Sequence, residues 1–106
     1  EELGYPPFGF LAAVLFSGTA EGATRDSATQ AARLLTMLKA RLSLRIEILG
    51  PAQAPLYRLR GRFRHQILLK ALKRSDLRRL LSAYRHERTA CANVREALDI
   101  DPVDLL

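Results

Sequence analysis

Tryptophan is absent from this chain of 106 residues, and cysteine and methionine occur once each. A single cysteine, Cys91, cannot close an internal disulfide, so a reducing compartment, the cytosol, is expected. No apolar run approaches the roughly 20 residues that a membrane-spanning helix needs, and no signal-peptide pattern opens the chain. Neither Gly18 nor Gly22 sits in the spacing of a phosphate-cradling loop. Cys91, His65 and His86 do not make a zinc set by themselves, the two histidines being 21 positions apart. His65 and His86 read as a strand-face and a helix-end residue, and Cys91 as a small buried filler. Asp99 and Asp101 share a face, as an acid–base pair would. Backbone caps or partners for nearby arginines explain them more simply, and the chain reads as non-catalytic.

Acid is the other shortage, and it is local. The whole chain carries 17 basic against 11 acidic residues, a net charge of +6 and a pI near 10.2. Between Leu56 and His86 stand ten bases (Arg58, Arg60, Arg62, Arg64, Lys70, Lys73, Arg74, Arg78, Arg79, Arg85) against the single acid Asp76. The remainder holds seven bases and ten acids. Four guanidiniums in seven residues repel one another unless an anion lies across them, and a polyanion such as nucleic acid is a natural partner. A solvated surface is the plain alternative.

What is present suits one domain, since 48% of the residues are hydrophobic and the length fits a single core. Residues 1–9 read as a lead-in: Tyr5-Pro6-Pro7-Phe8 cannot be helical and would clamp onto an upstream domain or stiffen the approach to the first strand. Without an initiator methionine, the chain is expected to be a piece of a longer protein. Phe10–Ser17 reads as a central strand, apolar on both faces. A helix follows to about Leu42, its start open between Thr19 and Asp26, with Ala28, Ala31, Leu34, Leu35, Leu38 and Leu42 on one stripe. Arg45–Leu49 is a short strand that breaks at Gly50-Pro51, and extended structure resumes at Leu56. Gly61 turns the chain. Arg62–Ala71 is a third strand, with Phe63, Ile67 and Leu69 on one side and Arg62, Arg64, Gln66, Leu68 and Lys70 on the other. Ser75–His86 is a helix on Leu77, Leu80, Leu81 and Tyr84. Asn93–Ile100 is the last strand, where Glu96 shares the face of Val94, Leu98 and Ile100. The order predicts an α+β, ferredoxin-like split βαβ fold: a four-stranded antiparallel sheet with two helices on one face.

Four blocks then carry a resemblance. Tyr5-Pro6-Pro7-Phe8, Leu49-Gly50-Pro51-Ala52 with Ala54-Pro55, Arg62-Phe63-Arg64-His65-Gln66-Ile67-Leu68-Leu69-Lys70, and Leu98-Asp99-Ile100-Asp101-Pro102 resemble, in order and spacing, the C-terminal domain of primosomal protein N′, the bacterial replication-restart helicase. The resemblance covers essentially the whole chain. It implies a parent that is a cytoplasmic, ATP-dependent 3′–5′ DNA helicase, one that recognises stalled forks and works with other primosome proteins. It places ATP, magnesium and zinc with the parent, and no cofactor in this piece. It also implies a domain that packs on the motor, helps bind forked and single-stranded DNA, and helps receive the acidic tail of single-stranded-DNA-binding protein.

Carried over by residue, Arg62, Arg64, Gln66 and Lys70 are the first candidates for nucleic-acid contact. Arg58 and Arg60 join them by charge, and Phe63 offers a flat face for a base, as do His65 and Tyr57. Arg74 and Arg78, at a helix start, are the candidates for a carboxylate-rich tail. Two rival readings remain: a pure protein-docking module, and an RNA-binding ferredoxin-like domain, which lacks the aromatic pair expected on its central strands.

Overall fold

The computed structural model describes residues 9–100. The Tyr5-Pro6-Pro7-Phe8 lead-in and the segment Asp101–Leu106 lie outside the described residues. The elements are β1 (Phe10–Gly18), α1 (Glu21–Leu42), β2 (Ile46–Leu59), β3 (Arg62–Ala71), α2 (Arg74–Glu87) and β4 (Val94–Ile100). The four strands form one antiparallel sheet in the order β2-β3-β1-β4. This is the ferredoxin-like arrangement that the element order predicts, with β1 central.

Alternation along the central strands decides which face is covered. Ala12, Val14 and Phe16 of β1 and His65, Ile67, Leu69 and Ala71 of β3 are buried against the helices. Between them lie Ala28, Ala31, Leu35 and Leu38 of α1 and Leu77, Leu80, Leu81 and Tyr84 of α2. Residue spacings of two on the strands and of three and four on the helices place these side chains in one contiguous core. The small residues of α1 matter for fit. Gly18, at the end of β1, has no room for a side chain: a Cβ there would lie 2.3 Å from Thr24 Oγ1.

α1 begins early, at Glu21 with Ala20 as N-cap, and not at Asp26. The reason is Thr24. It is fully buried and its hydroxyl donates to the Ala20 carbonyl at 2.8 Å, so the first turn is held against β1. At the other end Ser43 takes the left-handed conformation, φ 54°. Ser43 N–H donates to Ala40 O at 3.2 Å and Leu44 N–H to Lys39 O at 3.0 Å, the Schellman pattern.

β2 is one long strand, not two. Pairing with β3 continues past Gly50-Pro51, and the irregularity is absorbed by register shifts between Leu49 and Ala52 and between Gln53 and Arg58. A bulge lets the longer strand keep its ladder with the shorter one. Arg60 (φ 53°) and Gly61 (φ 77°) then form the two-residue turn into β3. Positive φ at both positions matches the right-handed twist of a hairpin. β4 starts at Val94, one residue later than expected, and its last residue, Ile100, is exposed.

Candidate nucleic-acid interface

No described helix packs on the opposite face of the sheet. That face carries Arg62, Arg64, Gln66, Leu68 and Lys70 of β3, with Leu11, Ala13, Leu15 and Ser17 of β1 beside them. Arg95, Ala97 and Asp99 of β4 follow in register. Its middle is apolar, and its charge is uneven. At one end Lys70 stands opposite Glu47 of β2, and Asp99 stands opposite Ala13. At the other end three arginines flank Ser17, and one of them, Arg62, bonds it. Arg64 is the partner of Ser17 on β3 and Arg95 its partner on β4. Arg62 donates from Nε to Ser17 Oγ at 2.7 Å and from Nη2 to Ser17 O at 2.9 Å. Arg64 Nη1 donates to the Leu56 carbonyl at 3.1 Å, which ties the β2 arm to β3.

The sequence candidates therefore divide. Arg62, Arg64, Gln66 and Lys70 share the open face. Arg58 and Phe63 do not: they pair across β2 and β3 on the other side of the hairpin, with the Arg58 guanidinium 5.0 Å above the Phe63 ring. Tyr57 completes that cluster, 5.6 Å from Phe63 and 5.4 Å from His65 between ring centres. Its hydroxyl donates to the Glu21 carboxylate, and this bond raises the phenol pKa. Arg60 sits in the turn. Stacking faces and basic residues thus lie back to back along β3, because neighbouring strand residues point to opposite faces. His65 is buried. Its Nε2 meets no hydrogen-bond partner among the described residues.

Arg74 and Arg78 line a separate groove of about 1300 Å³, formed by the outer side of α2, the C-terminal end of α1 and the end of β4. Arg41, Arg79 and Arg85 add positive charge to its lining, Glu87 adds a carboxylate paired with Arg41 at 2.6 Å, and Leu42, Leu81 and Ile100 add apolar surface. Arg74 lies 5.1 Å above the Phe10 ring, a cation–π contact. No residue of the 58–70 stretch lines this groove.

Two participants carried no sequence signal. Arg95 is the single base of an edge strand, and only the β1–β4 register brings it to Ser17. Arg88, just after α2, accounts for Glu96. Its Nη2 lies 2.9 Å from Glu96 Oε1, with both side chains about 10% exposed. It also donates to Ser27 Oγ at 2.9 Å, and Tyr84 donates its hydroxyl to the other Glu96 oxygen. Burial and that bond to Glu96 push the Tyr84 phenol far above its ordinary range. The cluster is a structural clasp. Cys91 is only partly buried, and its thiol lies 3.6 Å from Gln30 Oε1. Among the described residues no three His, Cys, Asp or Glu side chains stand close enough to hold a metal. No described helix is long and apolar enough to cross a membrane.

Known proteins resemble the chain in sequence over its whole length and in fold. Among curated proteins, the replication restart protein PriA of Treponema pallidum is 33% identical over 106 residues, which is 100% of this chain and 16% of that protein. The replication restart protein PriA of Synechocystis is 32% identical, over 99% of this chain and 12% of that protein. The chain thus spans less than a fifth of the length of these relatives. Among solved structures, the de novo designed protein Foldit4 superimposes with a TM-score of 0.59 at 10% identity, over 88% of this chain and 96% of that one. A hydantoinase/carbamoylase family amidase from Burkholderia ambifaria gives 0.51 at 18% identity, over 88% of this chain and 27% of that one. These two likenesses concern the fold alone. The profile of the primosomal protein N C-terminal domain matches residues 1–103, and the chain belongs to that family.

Proposed function

We propose that the chain is the DNA-binding and docking domain of a replication-restart helicase, acting on single strands and forks. The observation that carries this reading is the grouping of Arg62, Arg64 and Arg95 around Ser17 by strand register, on a sheet face that no described helix covers. Phosphates supply most of the affinity for nucleic acid and no sequence information, so the domain binds with little sequence preference. Gln66 and Lys70 extend the contact along β3. Arg58 and Arg60, on the hairpin arm, reach a second stretch of backbone, and Phe63 and Tyr57 offer ring faces there. Motor, ATP, magnesium and zinc belong in this reading to parts of the parent outside this chain, and the compartment is the cytoplasm.

Fluorescence anisotropy with a labelled single strand and a labelled fork tests it. Binding weakens steeply with salt, and Arg62→Glu with Arg64→Glu removes it. Equal affinity at low and high salt sinks the electrostatic account.

A second reading has its own observation. The groove beside α2 combines guanidiniums at a helix start with an apolar floor, which suits a peptide that is acidic and ends in apolar residues. In a replication-restart protein the fitting partner is the tail of single-stranded-DNA-binding protein. The two readings are compatible, since the surfaces are separate.

A further inference from the structure

At the Ser17 end of the sheet lies a notch of about 520 Å³, lined by the start of α1, the turn into β4, and both Arg62 and Arg95. Arg62 reaches it already positioned. Its Nε and Nη2 are held by Ser17 Oγ and Ser17 O, so the guanidinium is fixed, and Nη1 meets no partner among the described residues. A side chain ordered in advance loses little freedom when it meets an anion. Arg95 is exposed, and no described residue forms an ion pair with it. Thr19 and Asn93 add a hydroxyl and an amide to the lining, and among the described residues no carboxylate lines the notch. Two guanidiniums on one rim match the two non-bridging oxygens of a phosphodiester.

We propose that this notch seats one backbone phosphate of single-stranded DNA, with Arg62 and Arg95 as its two charged contacts. The assignment rests on the nucleic-acid reading above and extends it by giving one phosphate a fixed seat and by naming Arg95 as a contact. Continuity favours a strand over a free anion. Arg64, about 10 Å from Arg95 by two strand spacings, lies on the same face and is placed for a neighbouring phosphate.

The test is anisotropy of a labelled oligothymidylate on the intact 106-residue chain across a salt series. Arg95→Gln is expected to weaken binding about fivefold at about 0.1 M salt and to lower the slope of log affinity against log salt by about 0.7, the loss of one phosphate contact on a single strand. Arg33→Gln, an equal charge change on the outer side of α1, is the control and leaves both nearly unchanged. Arg62→Lys keeps the charge but loses the fork. It is expected to weaken binding while melting close to the parent chain.

An Arg95→Gln loss no larger than that of Arg33→Gln, in a chain that still binds, overturns the notch and leaves the wider reading standing. A chain that binds no strand at any salt overturns both. Inorganic phosphate supplies the second arm, read by amide shifts of Asn93, Arg95 and the first turn of α1. Shifts that vanish in Arg95→Gln support the seat. Shifts combined with unchanged strand binding in Arg95→Gln make it a small-anion site and overturn the strand assignment.

Discussion

Glu96 sits on the face of β4 that packs against the helices, where a carboxylate is costly unless paired. Arg88 and Tyr84 supply the pairing. Removing one partner leaves the other charge buried, so Glu96→Ala is expected to lower stability by about 3 kcal/mol in urea denaturation. Replacing Glu96 and Arg88 together with Leu and Met recovers most of that loss, because an apolar pair of similar volume leaves no orphan charge. His65 gives a pH signature instead. Burial first, and then Arg25, lower its pKa below the ordinary 6.5, with Glu21 opposing. The unfolded chain therefore binds the proton more readily. The contribution to stability is complete above about pH 6.5 and is lost as pH falls below it toward the lowered folded value. Melting temperatures taken through that window for the parent chain and for His65→Leu isolate the effect: the difference between the two curves is largest on the acid side. A difference independent of pH would remove His65 as its source.

At the scale of single elements, the ends are where the sequence was hardest to read. Ser43 stands at a left-handed position, φ 54°, where a side chain costs roughly 1–2 kcal/mol. Ser43→Gly is expected to stabilise the chain by about 1 kcal/mol in the same denaturation assay. A loss of stability would mean that the serine side chain contributes more than its backbone conformation costs. The long β2 makes the complementary point. Gly50-Pro51 and Pro55 look like breaks when read one residue at a time. They persist inside a strand because β2 is at the sheet edge and β3 supplies a continuous ladder for it, with bulges taking up the excess residues.

Over the whole molecule, charge is sorted onto two surfaces that share one core. The sheet end around Ser17 and the groove beside α2 lie at opposite ends of α1, and no described residue lines both cavities. Sites without shared partners act independently. Arg74→Glu with Arg78→Glu is therefore expected to abolish capture of an acidic peptide with an apolar end, measured by anisotropy, while strand binding changes little. An equal fall in strand binding would show that the groove and the open face are one site.

The sequence by itself determined the element order, the central position of β1, the inward stripes of both helices and the open-face grouping of Arg62, Arg64, Gln66 and Lys70. All of these rest on periodicity within one element, which is local and survives without knowledge of neighbours. The four blocks at Tyr5, Gly50, Arg62 and Leu98 also carried the family. Only the tertiary structure decided that Arg58 stacks over Phe63 behind the basic face, that Arg88 is the partner of Glu96, and that Arg95 comes beside Ser17, which Arg62 bonds. Each of those depends on register between strands or on a contact across dozens of residues. A shift of one position would turn every side chain of a strand to the other face, and no local pattern fixes that choice; the packing of Phe16, Ile67 and Leu80 in the common core does.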